Sequence, residues 1–264
     1  MQWRKILGIG IATVATFYLI WTFVSSGLRS LFLAWGFSEA LTELLLGILF
    51  ATAQLETVLK IMLLQLAIRP AKFVETSLSQ LPHSDQQAIQ RQSRELQQRG
   101  FIKLLDYTVP GTGGMARLFG HPDWGSFVEL GYAPGLPLFA NSICFLEPHW
   151  SLELSNAQPN LLVDMVWFAF LRQPRALCKR QSGVSPAMLI NPLLLWRQQV
   201  RQQLGLAAQR QGDLATYITA EREKRQRQRQ ALLNKSMSYA LLQALWYPFS
   251  KMRQHFVWLG DSIR

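Results

Sequence analysis

The chain has 264 residues, of which 49% are apolar, with a formal net charge of +11 and an isoelectric point near 10.1. That length holds one or two domains, and the apolar residues crowd into positions 1–72 while the remainder is rich in Gln and Arg. The basic balance excludes little by itself. However, the chain lacks zinc-ligand spacing, an RNP-like aromatic motif and a helix-turn-helix pattern, so no nucleic acid partner is expected. Cations flanking apolar segments follow the positive-inside rule instead. The expected partners are membrane lipids with an anionic surface, together with a membrane-protein partner. Cys144 and Cys178 lie far apart and fit no metal or redox motif. They read as buried thiols in a reducing compartment, and no cofactor is expected.

Residues 1–72 read as a membrane anchor of two transmembrane helices. Arg4 and Lys5 precede an uncharged run at 6–24, long enough to cross a hydrocarbon core of about 30 Å at 1.5 Å per residue. The run exceeds a signal-peptide core, and a second apolar segment follows Ser25-Ser26-Gly27 closely, so the helix is expected to be retained. The second span is centred on 41–59, with Glu43 and Glu56 near its ends. Glu56 and Lys60 stand four apart and could neutralise each other on one helix face. These polar residues read as helix ends or an interhelix contact, because an intramembrane ion site belongs to larger helix assemblies. Arg29 lies in the expected connection, Lys60, Arg69 and Lys72 at the far end, and Pro70 ends the helix. This charge distribution places both termini and the soluble portion on the cytoplasmic side.

Residues 73–84 read as a linker and 85–212 as a soluble α+β domain. A helix at 84–98 carries a narrow apolar stripe of Ala88, Ile89 and Leu96. Strands follow at 102–109, 115–119, 124–132, 139–146 and 150–155, separated by Pro- and Gly-rich turns. Short successive strands predict an antiparallel β-meander covered by helices on one face and open on the other. Ser185-Pro186 opens a helix in which Leu189, Leu193, Trp196, Val200 and Leu204 recur before Gly205. Residues 213–264 form a basic amphipathic C-terminal helical region.

Gly100-Phe101, Asp106-Tyr107, Arg117-Leu118-Phe119, residues 123–129 and residues 150–156 resemble an uncharacterised bacterial family. Its members share a "GF…L.DY" opening, a "vF.hp…y.el" hairpin and a "w.l.tsn" strand, and some carry an N-terminal membrane anchor. The resemblance covers residues 86–206. It implies an α+β domain and brings no assigned activity.

Candidate chemistry is sparse. His121-Pro122-Asp123 and Glu147-Pro148-His149 both sit at strand ends. If those turns meet, His121, Asp123, Glu147 and His149 could form an acid–base or metal site; the competing reading is that turn-forming residues gather at turns. No metal site is otherwise indicated. Ser126 lacks the nucleophile-elbow pattern, and the glycines at 110–114 lack the Lys-Ser/Thr of a P-loop. Trp124, Trp150, Trp167 and Phe168 read as core, with an apolar ligand groove as the alternative. At the C-terminus, Arg222, Lys224, Arg225, Arg227, Arg229 and Lys235 precede apolar patches containing Trp246 and Trp258. That pairing predicts a tail lying in the membrane surface, against a helix docked on the sheet. The sequence favours a non-enzymatic interaction or assembly factor at the cytoplasmic surface. The alternatives are a lipid or apolar-ligand binding module and a hydrolase or metal enzyme using the strand-end cluster.

Overall fold

The computed structural model describes residues 2–66, 73–109, 114–172, 174–209 and 211–249, with backbone alone for 2–15, 17, 66 and 109. It divides into two compact units, Met1–Leu59 and Lys60–Arg264.

The first unit holds helix α1 (Gln2–Ala34) and most of helix α2 (Glu39–Leu66). Sequence reasoning ended the first helix before Ser25, but α1 runs on. The hydroxyls of Ser25, Ser26 and Ser30 donate to the carbonyls of Thr22, Phe23 and Ser26, so the polar groups are satisfied within the helix. The connection is instead a short turn at Gly36, whose φ of +85° suits a residue without Cβ. Arg29, expected in the connection, lies on α1 with its Nε 3.1 Å from Glu43 Oε1. The ring of Phe50 lies 5.2 Å from Trp21 and 6.4 Å from Tyr18, so the two helices touch between residues 18–29 of α1 and 43–50 of α2.

The second unit is mixed α+β. Its strands are β1 (Val74–Glu75), β2 (Ile102–Val109), β3 (Gly114–His121), β4 (Ser126–Tyr132), β5 (Phe139–Glu147), β6 (Trp150–Ser155), β7 (Ala176–Arg180) and β8 (Ala207–Ala208). Strands β1 to β7 pair in sequence order, and β8 pairs with the end of β5. The helices are α3 (His83–Gln97), α4 (Leu161–Val166), α5 (Ile190–Leu204), α6 (Leu214–Asn234) and α7 (Met237–Trp246). A π-helical turn, Trp167–Leu171, continues α4, and 3-10 turns precede α5 and follow α7.

The five antiparallel strands expected are present, and three features depart from expectation. First, the segment read as a linker contributes β1, which pairs with Tyr107 and Thr108 of β2. Second, β7 lies parallel to β6, so the sheet is not a pure antiparallel meander. A parallel neighbour requires a long crossover, and α4 with its π-helical turn supplies it. The sequence of β7 concealed it because Lys179 and Arg180 are cations; their heads lie over the Trp196 ring at 4.5 Å and on Asp164 at 2.8 Å. Third, both faces of the sheet are covered.

Strand alternation assigns the faces. Phe119, Val128, Leu130, Cys144, Leu152 and Leu177 pack with Ile89 and Leu96 of α3 and Leu193, Trp196 and Val200 of α5. The opposite face carries Leu118, Phe127, Ile143 and Phe145, closed by Tyr217 of α6. Phe119 and Phe127 are completely buried, and each such side chain contributes about 2–3 kcal/mol. The helix over residues 84–98 and the one ending at Gly205 form as expected, the latter with Gly205 left-handed at φ +66°.

Seating α6 on the sheet requires two glycines. A Cβ on Gly120 would lie 2.0 Å from the carbonyl oxygen of Gly212, and one on Gly212 would lie 2.1 Å from that of His121. The chain crosses β3 at this point. Asp213 then caps α6, its Oδ1 accepting from the Thr216 N–H at 2.8 Å. The glycine turn at 110–113 lies outside the described residues, as do Arg69, Pro70 and Lys72.

Candidate functional site

The strand-end residues do not converge. His121 follows Phe119 by two, so it points to the α3/α5 face. There it stacks on Trp124 at 3.7 Å and meets the Phe101 ring edge-on at 5.1 Å. Burial holds its imidazole below the usual range, against the pull of Asp123 and a backbone hydrogen bond at Arg99. Asp123 is exposed in the turn. Glu147 and His149 border a cleft toward α6, with β8 paired alongside Glu147. The two turns share one end of the sheet but serve opposite faces.

His149 does find a partner, from a helix that the sequence did not place there. Its Nδ1 lies 3.0 Å from Glu223 Oε2, and Arg227 approaches the same carboxylate at 3.7 Å. Both pairs border the cleft of about 290 Å³ lined also by Thr216, Thr219 and Gln209. Both side chains are exposed, so the pair lies open to solvent at the cleft. Among the described residues, no group of three His, Cys, Asp or Glu side chains could hold a metal ion.

A denser cluster lies beneath α6. Tyr217, Glu221, Lys224, Gln228 and Leu232 recur at three- and four-residue spacing and are all buried, which defines the face of α6 turned to the sheet. Lys224 Nζ lies 3.1 Å from Glu153 Oε2 of β6 and 3.7 Å from Glu221. The Tyr217 hydroxyl donates to Glu129 Oε1 of β4 at 3.1 Å. Glu221 also receives Arg225 Nε at 3.1 Å. Burial, then repulsion from Glu221 and Glu153, pushes the Glu129 carboxyl up to about 7, with Lys224 and the Tyr217 hydroxyl pulling the other way. Burial works against the charge on Lys224, yet Glu153 and Glu221 raise its pKa above the usual lysine range. Burial and the adjacent carboxylates keep Tyr217 protonated. Near neutral pH Glu129 therefore lies close to the midpoint of its protonation.

Two further ion pairs are structural. Arg117 of β3 grips Asp106 of β2 with Nε at 2.6 Å and Nη2 at 2.8 Å, and donates to Ser93 of α3 at 3.2 Å. Burial opposes ionisation of Asp106, but Arg117 and Lys103 hold its pKa below the usual range. Arg180 grips Asp164 of α4 through both nitrogens at 2.8 Å. The two thiols lie on opposite sheet faces; burial pushes Cys144 up to about 12 and raises Cys178 as well.

The cations expected at a lipid surface are divided. Lys224 is turned inward, and Arg225 and Arg227 lie on Glu221 and Glu223 of their own helix. Arg222 and Arg229 are exposed, and Lys235 is partly so. Trp246 is 71% exposed, and Trp258 lies outside the described residues. Trp150 and Trp124 pack with the α3/α5 core, and Phe168 packs with Tyr247. Val128 is buried, and the interior beside it, bounded by Phe101, Ser142 and Leu193, is filled.

Sequence reasoning missed the α6 cluster because its buried stripe is polar. The available signal was the pair of carboxylates, Glu129 and Glu153, each within a short strand. No family model, curated protein or solved structure matches the chain.

Proposed function

We propose that the chain is a membrane-anchored protein that holds its α+β domain at the cytoplasmic surface as a non-enzymatic interaction or assembly factor. The observation that carries this reading is the character of α2. It is long and apolar enough to cross a bilayer, and only 6% of its most apolar window is buried. Side chains such as Leu44 at 60% and Ile48 at 54% exposure face outward. In water that surface would be costly at about 25 cal/mol per Å²; in lipid it is stable. Helix α1, apolar over residues 6–24, completes a membrane-spanning hairpin with both ends cytoplasmic.

The domain supports an interaction role through what its groups already do. Its interior is packed beside Val128, between Phe101, Ser142 and Leu193. Its buried charges serve one another, and His121 and His149 face different sides of the sheet. The uncharacterised bacterial family resembled by residues 86–206 fits a domain of this kind.

The test is carbonate extraction of the full chain with topology reporters. Retention in the pellet is expected, with a reporter at Gly36 reading external and one at Ser79 cytoplasmic. Release of the intact chain into the carbonate supernatant overturns the anchor, and the reverse reporter pattern overturns the orientation.

A further inference from the structure

The second unit has an apolar surface that its own packing leaves uncovered. Helix α7 and the α4 segment lie together, joined by the Phe168 and Tyr247 rings at 5.1 Å. Around that joint, Leu162, Val166, Leu242, Leu245, Trp246 and Phe249 are between 37% and 80% exposed. Residues 237–249 contain no charged side chain. In residues 161–171 the one charge, Asp164, is turned inward to Arg180. A water-facing helix pair normally carries charges on its outer side, and exposed apolar surface of this kind marks an interaction site.

We infer that this α4/α7 surface docks into the interfacial layer of the bilayer that anchors the chain. The inference rests on the membrane-anchored reading above. The choice of occupant comes from where α2 ends. Lys60 Nζ, near the C-terminal end of α2, donates to the carbonyl oxygen of Leu233 at 3.1 Å. Leu233 lies in the last turn of α6, and Ser236 caps α7 three residues later. Lys60 belongs to the second unit, so this last part of α2 is held beside the start of the apolar pair, and in the anchored reading it is the part through which the chain leaves lipid. Length agrees: α7 has ten residues, about 15 Å at 1.5 Å per residue, half of what a span requires. It can lie in the surface but cannot cross. Composition agrees too, since Tyr239 and Trp246 are 59% and 71% exposed and such side chains favour the membrane–water boundary. Arg222, Arg229 and Leu233 follow helical spacing along the exposed side of α6, which sets two cations on the side that carries the Lys60 contact. Tethering by α2 makes the docking intramolecular, so a small intrinsic affinity suffices.

Sequence pointed to lipid contact by the basic helix and the tail after it. Lipid contact falls instead chiefly on α7 joined with α4, because the inner face of α6 belongs to the sheet and only its outer cations remain.

The test is nitroxide depth measurement on the full chain reconstituted in vesicles. Single substitutions Leu162→Cys, Leu245→Cys, Gln90→Cys and Ile48→Cys receive the label, each in a Cys178→Ser background because that native thiol is only partly buried. Several-fold greater exposure to dissolved oxygen than to a water-soluble relaxant is expected at 162 and 245, relative to 90, an exposed position of α3 on the opposite sheet face. Equal water exposure at 162, 245 and 90, with 48 deep in lipid, overturns the docking and leaves the anchor intact. Water exposure at 48 overturns the anchored reading itself. Protection at 245 with spin–spin broadening that disappears on dilution with unlabelled protein assigns the surface to a second copy and overturns the lipid assignment.

Discussion

Replacing Glu129 with Gln should make the protein more stable at pH 8 and leave it nearly unchanged near pH 4.5. The carboxyl moves from an ordinary value of 4.5 to about 7, because it is buried beside Glu221 and Glu153. The sign follows from linkage. Below pH 4.5 both folded and unfolded chains hold the proton. Between 4.5 and 7 the unfolded chain releases it while the folded chain retains it, so this group subtracts stability as pH rises. Above pH 7 the loss is complete, and a difference of two and a half pKa units corresponds to about 3 kcal/mol. Glutamine keeps an oxygen to accept from Tyr217 and never carries the charge. For a domain of this size about 3 kcal/mol is roughly 6–12 °C in melting temperature. The assay is thermal unfolding of the full chain in detergent from pH 4.5 to 8, followed by tryptophan fluorescence and read as variant minus wild type. A difference that stays flat across that range, or a variant less stable than wild type at pH 8, refutes the account of the cluster.

Lys224→Met should cost about 3–5 kcal/mol, because it strands Glu153 and Glu221 without their buried cation; adding Glu153→Gln should recover part of that loss in a double-mutant cycle. Gly120→Ala should destabilise the sheet by about 2 kcal/mol or more, since its methyl would meet the Gly212 carbonyl backbone, and denaturant unfolding reads the change directly.

Much of the fold was legible where the buried stripe is apolar. The spacing of Leu193, Trp196 and Val200 marks α5, and the alternation of Val128 and Leu130 marks β4, because burial there selects hydrophobic side chains. The same logic fails for α6. Its inner face is Tyr217, Glu221, Lys224 and Gln228; Tyr217 and Lys224 find partners on strands 88 and 71 residues earlier, and Gln228 finds one in the π-helical turn, so periodicity within one segment carries no information about them. β7 was hidden because its two cations are neutralised by Trp196 and Asp164 from other elements. The candidate site failed for a geometric reason: two turns at one end of a sheet read as neighbours in sequence terms, but the parity of strand positions sends His121 to one face, while the cleft holding His149 lies toward α6.

The carboxylates within the sheet also bear on the order in which the chain is made. Strands β2 to β6 pair with their immediate predecessors, so these contacts are local and can form as synthesis proceeds. Helix α6 emerges only after the whole sheet. Until then the face carrying Leu118, Phe127 and Phe145 has no cover, and an uncovered apolar sheet invites association between nascent chains. Glu129 and Glu153 interrupt that face with charge when it is bathed in water, since a solvated carboxyl ionises near its ordinary value. The group that weakens the finished domain at neutral pH thus keeps the unfinished one apart from its neighbours.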